Sequence, residues 1–234
     1  MIPFVSAIMP TRGRPEMARA AVFSWLTQDW PHTELVIVDD KDSRSFPDGL
    51  DLLEGVQLVV VSSRNLGEKR NIACGLALGK YIVHFDDDDW SAPHRISDQV
   101  QRLIASGKAV TGYHSLTFHE MRPLQVLTES GLRPASAWWR WRDRHGLAAG
   151  TSLCYRRDWW HDHLFVGLER AEDDLFWAEA VQLEQAIATD GHEMICAANH
   201  AGCVSGRAVG GAEWEELPGD PRGLPGTLKV SVCP

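Results

Sequence analysis

Four consecutive aspartates, Asp86 to Asp89, follow the apolar run Lys80–Phe85 in the stretch GKYIVHFDDDDW. Crowded carboxylates repel one another, so such a run is stable only beside a cation or a set of hydrogen-bond donors. Alternate residues of an extended chain share a side, which predicts that Asp86 and Asp88 project together while Asp87 turns away. Two carboxylates on one side make a hard-oxygen site suited to Mg²⁺ or Mn²⁺, and Mg²⁺ is commonly shared between one or two carboxylates and substrate phosphates. The plainer alternative is a solvated acidic loop, with Asp89 or Ser91 capping a helix that starts near Pro93. A second acidic group, Glu172-Asp173-Asp174, opens another expected helix. A carboxylate beside a low-dielectric cleft can be raised toward a useful pKa for proton transfer, although a helix N-terminus opposes the rise. Here too there is a plainer alternative, since acidic residues suit any helix start.

The surrounding pattern says what positions these groups. Phe4–Met9 is an apolar run stopped by Pro10, and Pro15 opens a helical stretch. Glu34–Val38 ends in Asp39-Asp40, and Val56–Val61 is followed by a polar turn containing Arg64-Asn65. Helical spacing then covers Glu68 to Leu78, and a further helix runs from Pro93 to Ser106-Gly107. Near-continuously apolar strands separated by helices predict an α/β chain, with a mostly parallel central sheet and helices on both faces. In such sheets ligands bind beyond the carboxyl ends of the strands. Thr11-Arg12, Asp39-Asp40, Arg64-Asn65 and the aspartate run all sit at such ends. The second half reads less regularly. Lys108–Glu120, Leu124–Glu129, Thr151–Tyr155 and Glu193–Ala197 are expected strands, and Asp173–Ala188 is an expected helix. The glycine- and proline-rich segment from 205 onward reads as a flexible tail or lid.

Bulk properties narrow the function. With 234 residues and a net charge of −9, the chain is most simply one domain and lacks the basic surface of a general polyanion binder. Five cysteines without a CxxC pair suit a reducing compartment. No run approaches the ~20 apolar residues of a membrane span, and the expected location is cytoplasmic. Ten tryptophans against three tyrosines are unusual. In SAWWRWRDRHG, Trp139 or Trp141 could stack a sugar ring while Arg140 or Arg142 grips an anion; a core helix or a partner surface fits the same residues. This segment is also the one local feature that would suit a nucleic-acid acceptor, a minor reading against the overall acidity.

Taken in order, VSAIMPTRGRPEMARAAVFSWLTQDWPHTELVIVDD, NLGEKRNIACGLALGKYIVHFDDDDW and ERAEDDLFW resemble the family 2 glycosyltransferases, which have the GT-A fold and invert at the anomeric carbon. The likeness runs from about Val5 to Val100 and resumes from Gly150 to Ser205. Gly13 departs from it where the family often has asparagine. The resemblance implies that Thr11, Arg12, Asp39 and Asp40 line the nucleotide pocket of a sugar donor, with Pro10, Asn65 and Asp87 in the same donor-binding set. Arg70 would lie near the base or diphosphate, and Asn71 would brace the loop. Asp86 and Asp88 match the family's metal-binding DxD, with Asp89 a supporting ligand and His200 a candidate to complete the shell. Asp173 matches the base that deprotonates the acceptor, with Asp174 as fallback. The implied partners are Mn²⁺ or Mg²⁺, a nucleotide-diphosphate sugar (a UDP-sugar first) and a glycan or other hydroxyl-bearing acceptor. By the same resemblance residues 1–107 form the donor-binding half and 108–204 the acceptor half. Plainer readings stay open: Asp39 or Asp40 satisfying turn amides, Arg70 exposed and paired with Glu68 or Asp40, and His200 structural.

No GxxxxGK[ST], HExxH, GxSxG or strand-following GxGxxG occurs. A sugar nucleotidyltransferase would carry a glycine-rich basic loop after the first strand, where PTRGRPE has one glycine. A catalytically silent sugar-nucleotide or glycan-binding module would not need Asp173.

Overall fold

In the computed structural model the order of elements is β1 (Val5–Thr11), α1 (Pro15–Leu26), β2 (Thr33–Asp40), β3 (Val56–Val61), α2 (Leu66–Leu76), β4 (Tyr81–His84), β5 (Trp90–Ser91) and α3 (Arg95–Ser106). There follow β6 (Val110–Met121), β7 (Leu127–Thr128), β8 (Gly131–Leu132), β9 (Ser136–Arg142), β10 (Cys154–Arg156), α4 (Arg157–Asp162), α5 (Glu172–Gln182), β11 (Ala186–Asp190), β12 (Ile195–Asn199) and β13 (Trp214–Leu217). The structure describes residues 1–40, 49, 52–62, 64–121, 127–128, 131–132, 136–200, 203, 209 and 211–221.

One sheet joins both halves of the chain, in the order β13-β9-β6-β10-β4-β1-β2-β3. Its first half is parallel, β1 lying between β2 and β4. Alternation along these strands decides the core. Ile8, Val36, Val38 and Ile82 face α2 and α5, whereas Val5, Ala7, Met9, Leu35, Ile37 and Val83 face α1 and α3. Both faces are covered, which is why the strands read as unbroken apolar runs rather than alternating ones. The long β6 has β9 antiparallel on one side and β10 antiparallel on the other, and it also pairs in parallel with β11 and β12.

Several expectations are corrected. β1 does not stop at Pro10 but runs to Thr11, paired with β2 throughout. The Ile8 carbonyl accepts from Phe85 N, so the missing N–H of Pro10, two residues on, faces the side where pairing with β4 has ended. The helix expected over Asp173–Ala188 ends at Gln182, and Ala186–Asp190 forms β11 on β6. Glu184, at φ 56°, makes the break. The Trp/Arg segment is the strand β9 and not a core helix. Trp214–Leu217, within the expected tail, is a strand paired with β9. The remainder of the expected strand Leu124–Glu129, outside β7, and most of the tail lie outside the described residues.

Candidate active site

The carboxyl ends of the neighbouring strands β1 and β4 open onto a cleft of about 330 Å³, lined from the first half by Pro10, Arg14, Arg70 and all four aspartates. The second half adds Gly150, Thr151, Glu172, Asp173, Asp174 and Cys203. β4 ends at His84, so the aspartates lie in the turn beyond it and not on an extended strand. Asp87 turns inward, accepting from Thr11 Oγ1 at 2.6 Å and pairing with Arg14 Nη2 at 2.6 Å. Asp88 accepts from Arg14 Nη1 at 2.5 Å and lies 3.2 Å from His200 Nε2. Asp86 keeps one oxygen 3.4 Å from Arg70. Asp89 is an anchor: one oxygen accepts from Thr151 Oγ1 at 2.5 Å and the other from Ala198 N at 2.9 Å, tying the turn to β12.

Arg70 is the hub of the site. It reaches inward from α2, fully buried, with Nε 3.0 Å from Glu172 and Nη1 2.6 Å from His84 Nδ1. The reading of Arg70 as an exposed helical residue is thereby overturned. His84 Nδ1 lies between that guanidinium and the Gly150 carbonyl oxygen, 2.8 Å away, and its Nε2 is 3.1 Å from Tyr155 Oη. Burial and the neighbouring Arg70 charge hold His84 well below its ordinary pKa, so it is neutral.

Asp173 and Asp174 follow Glu172 in the first turn of α5. Ala171, at φ 66°, turns the chain into that helix. Asp173 Oδ1 accepts from Asp174 N at 3.0 Å, and its carboxylate packs against Gly150 so closely that a Cβ there would overlap it. Asp174 is exposed.

The other expected donor-binding residues stand outside the cleft. Asp39 and Asp40 are buried at the end of β2, with Asp40 held by Lys69 at 3.1 Å and Arg12 at 3.3 Å. Asn65 caps α2: its Oδ1 accepts from Glu68 N at 2.9 Å, while Glu68 accepts from Asn65 N. Asn71 does brace a loop, bonding both the carbonyl and the N–H of Phe165. In β9, Trp141 is buried, and Arg140 and Arg142 pair with Glu215 and Asp190, so both guanidinium groups already face acids.

Sequence reasoning missed Arg14, Glu172 and Cys203 as site residues. Arg14, three residues beyond β1 and just before a helix-opening proline, carried a usable signal. The Glu172–Arg70 pairing, across 102 positions, carried none.

Electrostatics follow from burial. Asp86, Asp87 and Asp89 are all pushed up, Asp87 to about 7, by burial first and by the neighbouring Asp88 next. Burial likewise lifts Glu172 to about 7 against the pull of Arg70. The donor set near Asp88, with the ligand atoms of His200 and Cys203 all within 4.8 Å of one another, fits a divalent cation that would relieve this repulsion.

The fold is that of the GT-A glycosyltransferases. The pattern of Glycosyl transferase family 2 matches residues 6–160, and the chain belongs to that family. It is 35% identical over 100 residues to an Escherichia coli protein assigned to colanic acid biosynthesis as a glycosyl transferase, covering 41% of this chain and 36% of that one. The fold is shared with S. aureus TarS 1-349 in complex with UDP-GlcNAc, at TM-score 0.63 and 20% identity over 88% of this chain and 62% of that one. It is shared also with the mannosyltransferase PcManGT from Pyrobaculum calidifontis in complex with GDP-Man and Mn²⁺, at TM-score 0.60 and 16% identity over 85% and 57% of the two chains. The chain spans between 32% and 54% of the length of the curated relatives it matches. Among the described residues no helix is long and apolar enough to cross a membrane.

Proposed function

We propose that this chain transfers a hexose from a nucleoside-diphosphate sugar, a UDP-sugar first, to the hydroxyl of a glycan-type acceptor, with inversion and with a divalent ion. One observation carries the reading: among the described residues, eight acidic side chains and three arginines line the cleft. An anionic diphosphate enters such a cleft only if cations offset the carboxylates. Asp86 and Asp88, with His200, are the residues that would hold the ion. When bound, it would neutralise charge on the departing diphosphate. TarS with UDP-GlcNAc and PcManGT with GDP-Man and Mn²⁺ share the fold, which supports a nucleotide-sugar donor.

The protein's own groups supply the rest. Asp173, at the acceptor side, takes the proton of the attacking hydroxyl, and the freed oxygen forms a bond to the anomeric carbon. The bond from that carbon to the diphosphate oxygen breaks, and the nucleoside diphosphate leaves with the electron pair. A single carboxylate base acting in one displacement inverts the centre. Arg70 holds Glu172 and Asp86 in place and adds positive potential beneath the leaving group. Residues 1–107 supply the donor side of the cleft and 108–204 the acceptor side.

The test is Asp173→Asn, which keeps shape and an oxygen acceptor for Asp174 N. Transfer should be abolished while donor binding, read by thermal shift with Mn²⁺, is retained. Unchanged transfer would remove Asp173 from the mechanism.

A further inference from the structure

The cleft wall contributed by the segment after β12 brings a sulfur to the metal-binding end. Cys203 Sγ accepts a hydrogen bond from His200 N at 3.2 Å and donates one to Ala198 O at 3.2 Å, which fixes its position. It lines the same cleft as Asp88. The ligand atoms of Asp88, His200 and Cys203 lie within 4.8 Å of one another; tetrahedral bonds of ~2.0–2.3 Å place donors about 3.3–3.8 Å apart, so an ion would draw this group slightly together. His200 and Cys203 are also separated by only two residues in NHAGC, the short ligand spacing that lets one loop present two donors to one ion. The other cysteines among the described residues, Cys74, Cys154 and Cys196, are all buried.

We propose that Cys203 is a direct metal ligand and that, with Asp88 and His200, it makes this a site for a thiophilic divalent ion of the Zn²⁺ or Co²⁺ class rather than an all-oxygen Mg²⁺ site. The inference rests on reading the acidic cleft as a metal centre and adds the identity of the metal. The chemistry is that of the donor set: carboxylate and water suit Mg²⁺, imidazole suits later transition ions, and a sulfur donor selects further toward the soft end. Asp86 is outside the group whose ligand atoms converge, so on this assignment it stands beside the ion and not on it, and the three protein donors leave a fourth tetrahedral position, which in catalytic sites of this kind is taken by water or substrate. A diphosphate oxygen fits that position.

The experiment is a Co²⁺ titration of the full chain, followed by its electronic spectrum, with and without UDP. The wild-type chain should give visible bands of tetrahedral intensity together with a near-ultraviolet sulfur-to-cobalt charge-transfer band. Cys203→Ser should lose the charge-transfer band and weaken Co²⁺ binding by about tenfold or more, a loss that removal of even an outer partner can produce. Its Mg²⁺ affinity, measured by competition, should not fall. Co²⁺ binding to wild type without a charge-transfer band, or a band that survives in Cys203→Ser, overturns the assignment of Cys203 while leaving the metal centre standing. Failure of the wild type to bind Co²⁺, Zn²⁺ or Mn²⁺ by calorimetry, even with UDP, overturns the metal centre itself. The wild-type spectrum decides the matter even if the variant does not fold.

Discussion

Replacing Arg70 by methionine removes the site's internal cation while keeping most of the side-chain length. Glu172 then loses its partner at 3.0 Å, His84 Nδ1 its neighbour at 2.6 Å and Asp86 its neighbour at 3.4 Å. Each is a charge-assisted contact, individually worth about 1.5–3 kcal/mol, but they share one guanidinium and do not add. Breaking a buried ion pair by deleting one partner costs about 3–5 kcal/mol, because the other charge is left uncompensated. Against a total stability of about 5–15 kcal/mol, this is a large fraction.

The penalty should depend on pH, and its sign can be worked out. Glu172 is already pushed up to about 7, and Asp86 is raised as well. Without Arg70 both rise further. A carboxyl with a raised folded-state pKa favours the folded state below its unfolded value and loses that advantage as pH climbs through the folded value. The Arg70→Met penalty should therefore grow as pH climbs above about 7 and shrink toward about pH 5.5, where Glu172 takes a proton. Urea denaturation at the two pH values, with the slope unchanged, reads it directly. Arg70→Lys should recover only part, because a point charge cannot serve three acceptors in fork geometry. A loss below about 1 kcal/mol near pH 8, the value typical of a solvated surface pair, would refute Arg70 as the counter-ion that organises the cleft.

Other outcomes follow from the same geometry. Gly150→Ala drives a methyl into the Asp173 carboxylate and should lower turnover by about a hundredfold, the scale of a 1 Å misplacement, while donor binding is kept. Asn65→Ala removes the capping box of α2 and should cost about 1 kcal/mol in denaturant without changing donor affinity. In protein stripped of divalent ions, Asp87, raised to about 7, stabilises the fold below the ordinary carboxylate range; this is lost as pH rises through about 7, and Asp87→Asn should flatten the slope seen by thermal melting. Asp88→Ala should abolish Mn²⁺-dependent nucleotide binding measured by calorimetry.

The first half of the fold was readable because its strands are buried on both faces. Ile8 and Met9 point to opposite cores, and in β1, β2 and β4 few polar positions interrupt the apolar signal. The second half was harder for a definable reason. Ala186 and Ala188 suit a helix, and nothing in the local sequence announces that Glu184 takes φ 56° and ends one. A glycine there would have given the break away. What makes Ala186–Asp190 a strand is the free edge of β6, a tertiary demand that overrides propensity. The Trp/Arg segment misled in the same way: its alternation is real, with Ala137 and Trp141 buried, but its charges looked available until Glu215 and Asp190 were brought beside them.

In the site, residue types were legible where chemistry demands them and partners were not. Glu172 and Asp173 show the difference. As adjacent residues in the first turn of α5 they differ by about 100° in direction, so they cannot share a role. Ala171 in the left-handed region sets the phase of that turn, and the phase sends Glu172 inward to Arg70 and Asp173 to the cleft wall beside Gly150. The sequence EDD contains two candidate bases and one counter-ion in indistinguishable form. Which is which depends on a fully buried guanidinium 102 residues away, and that guanidinium holds Asp86 with its other arm. The Asp86 end and the Asp173 end of the cleft are thus coupled through a single side chain, and a change at either end is felt at the other as a change in charge.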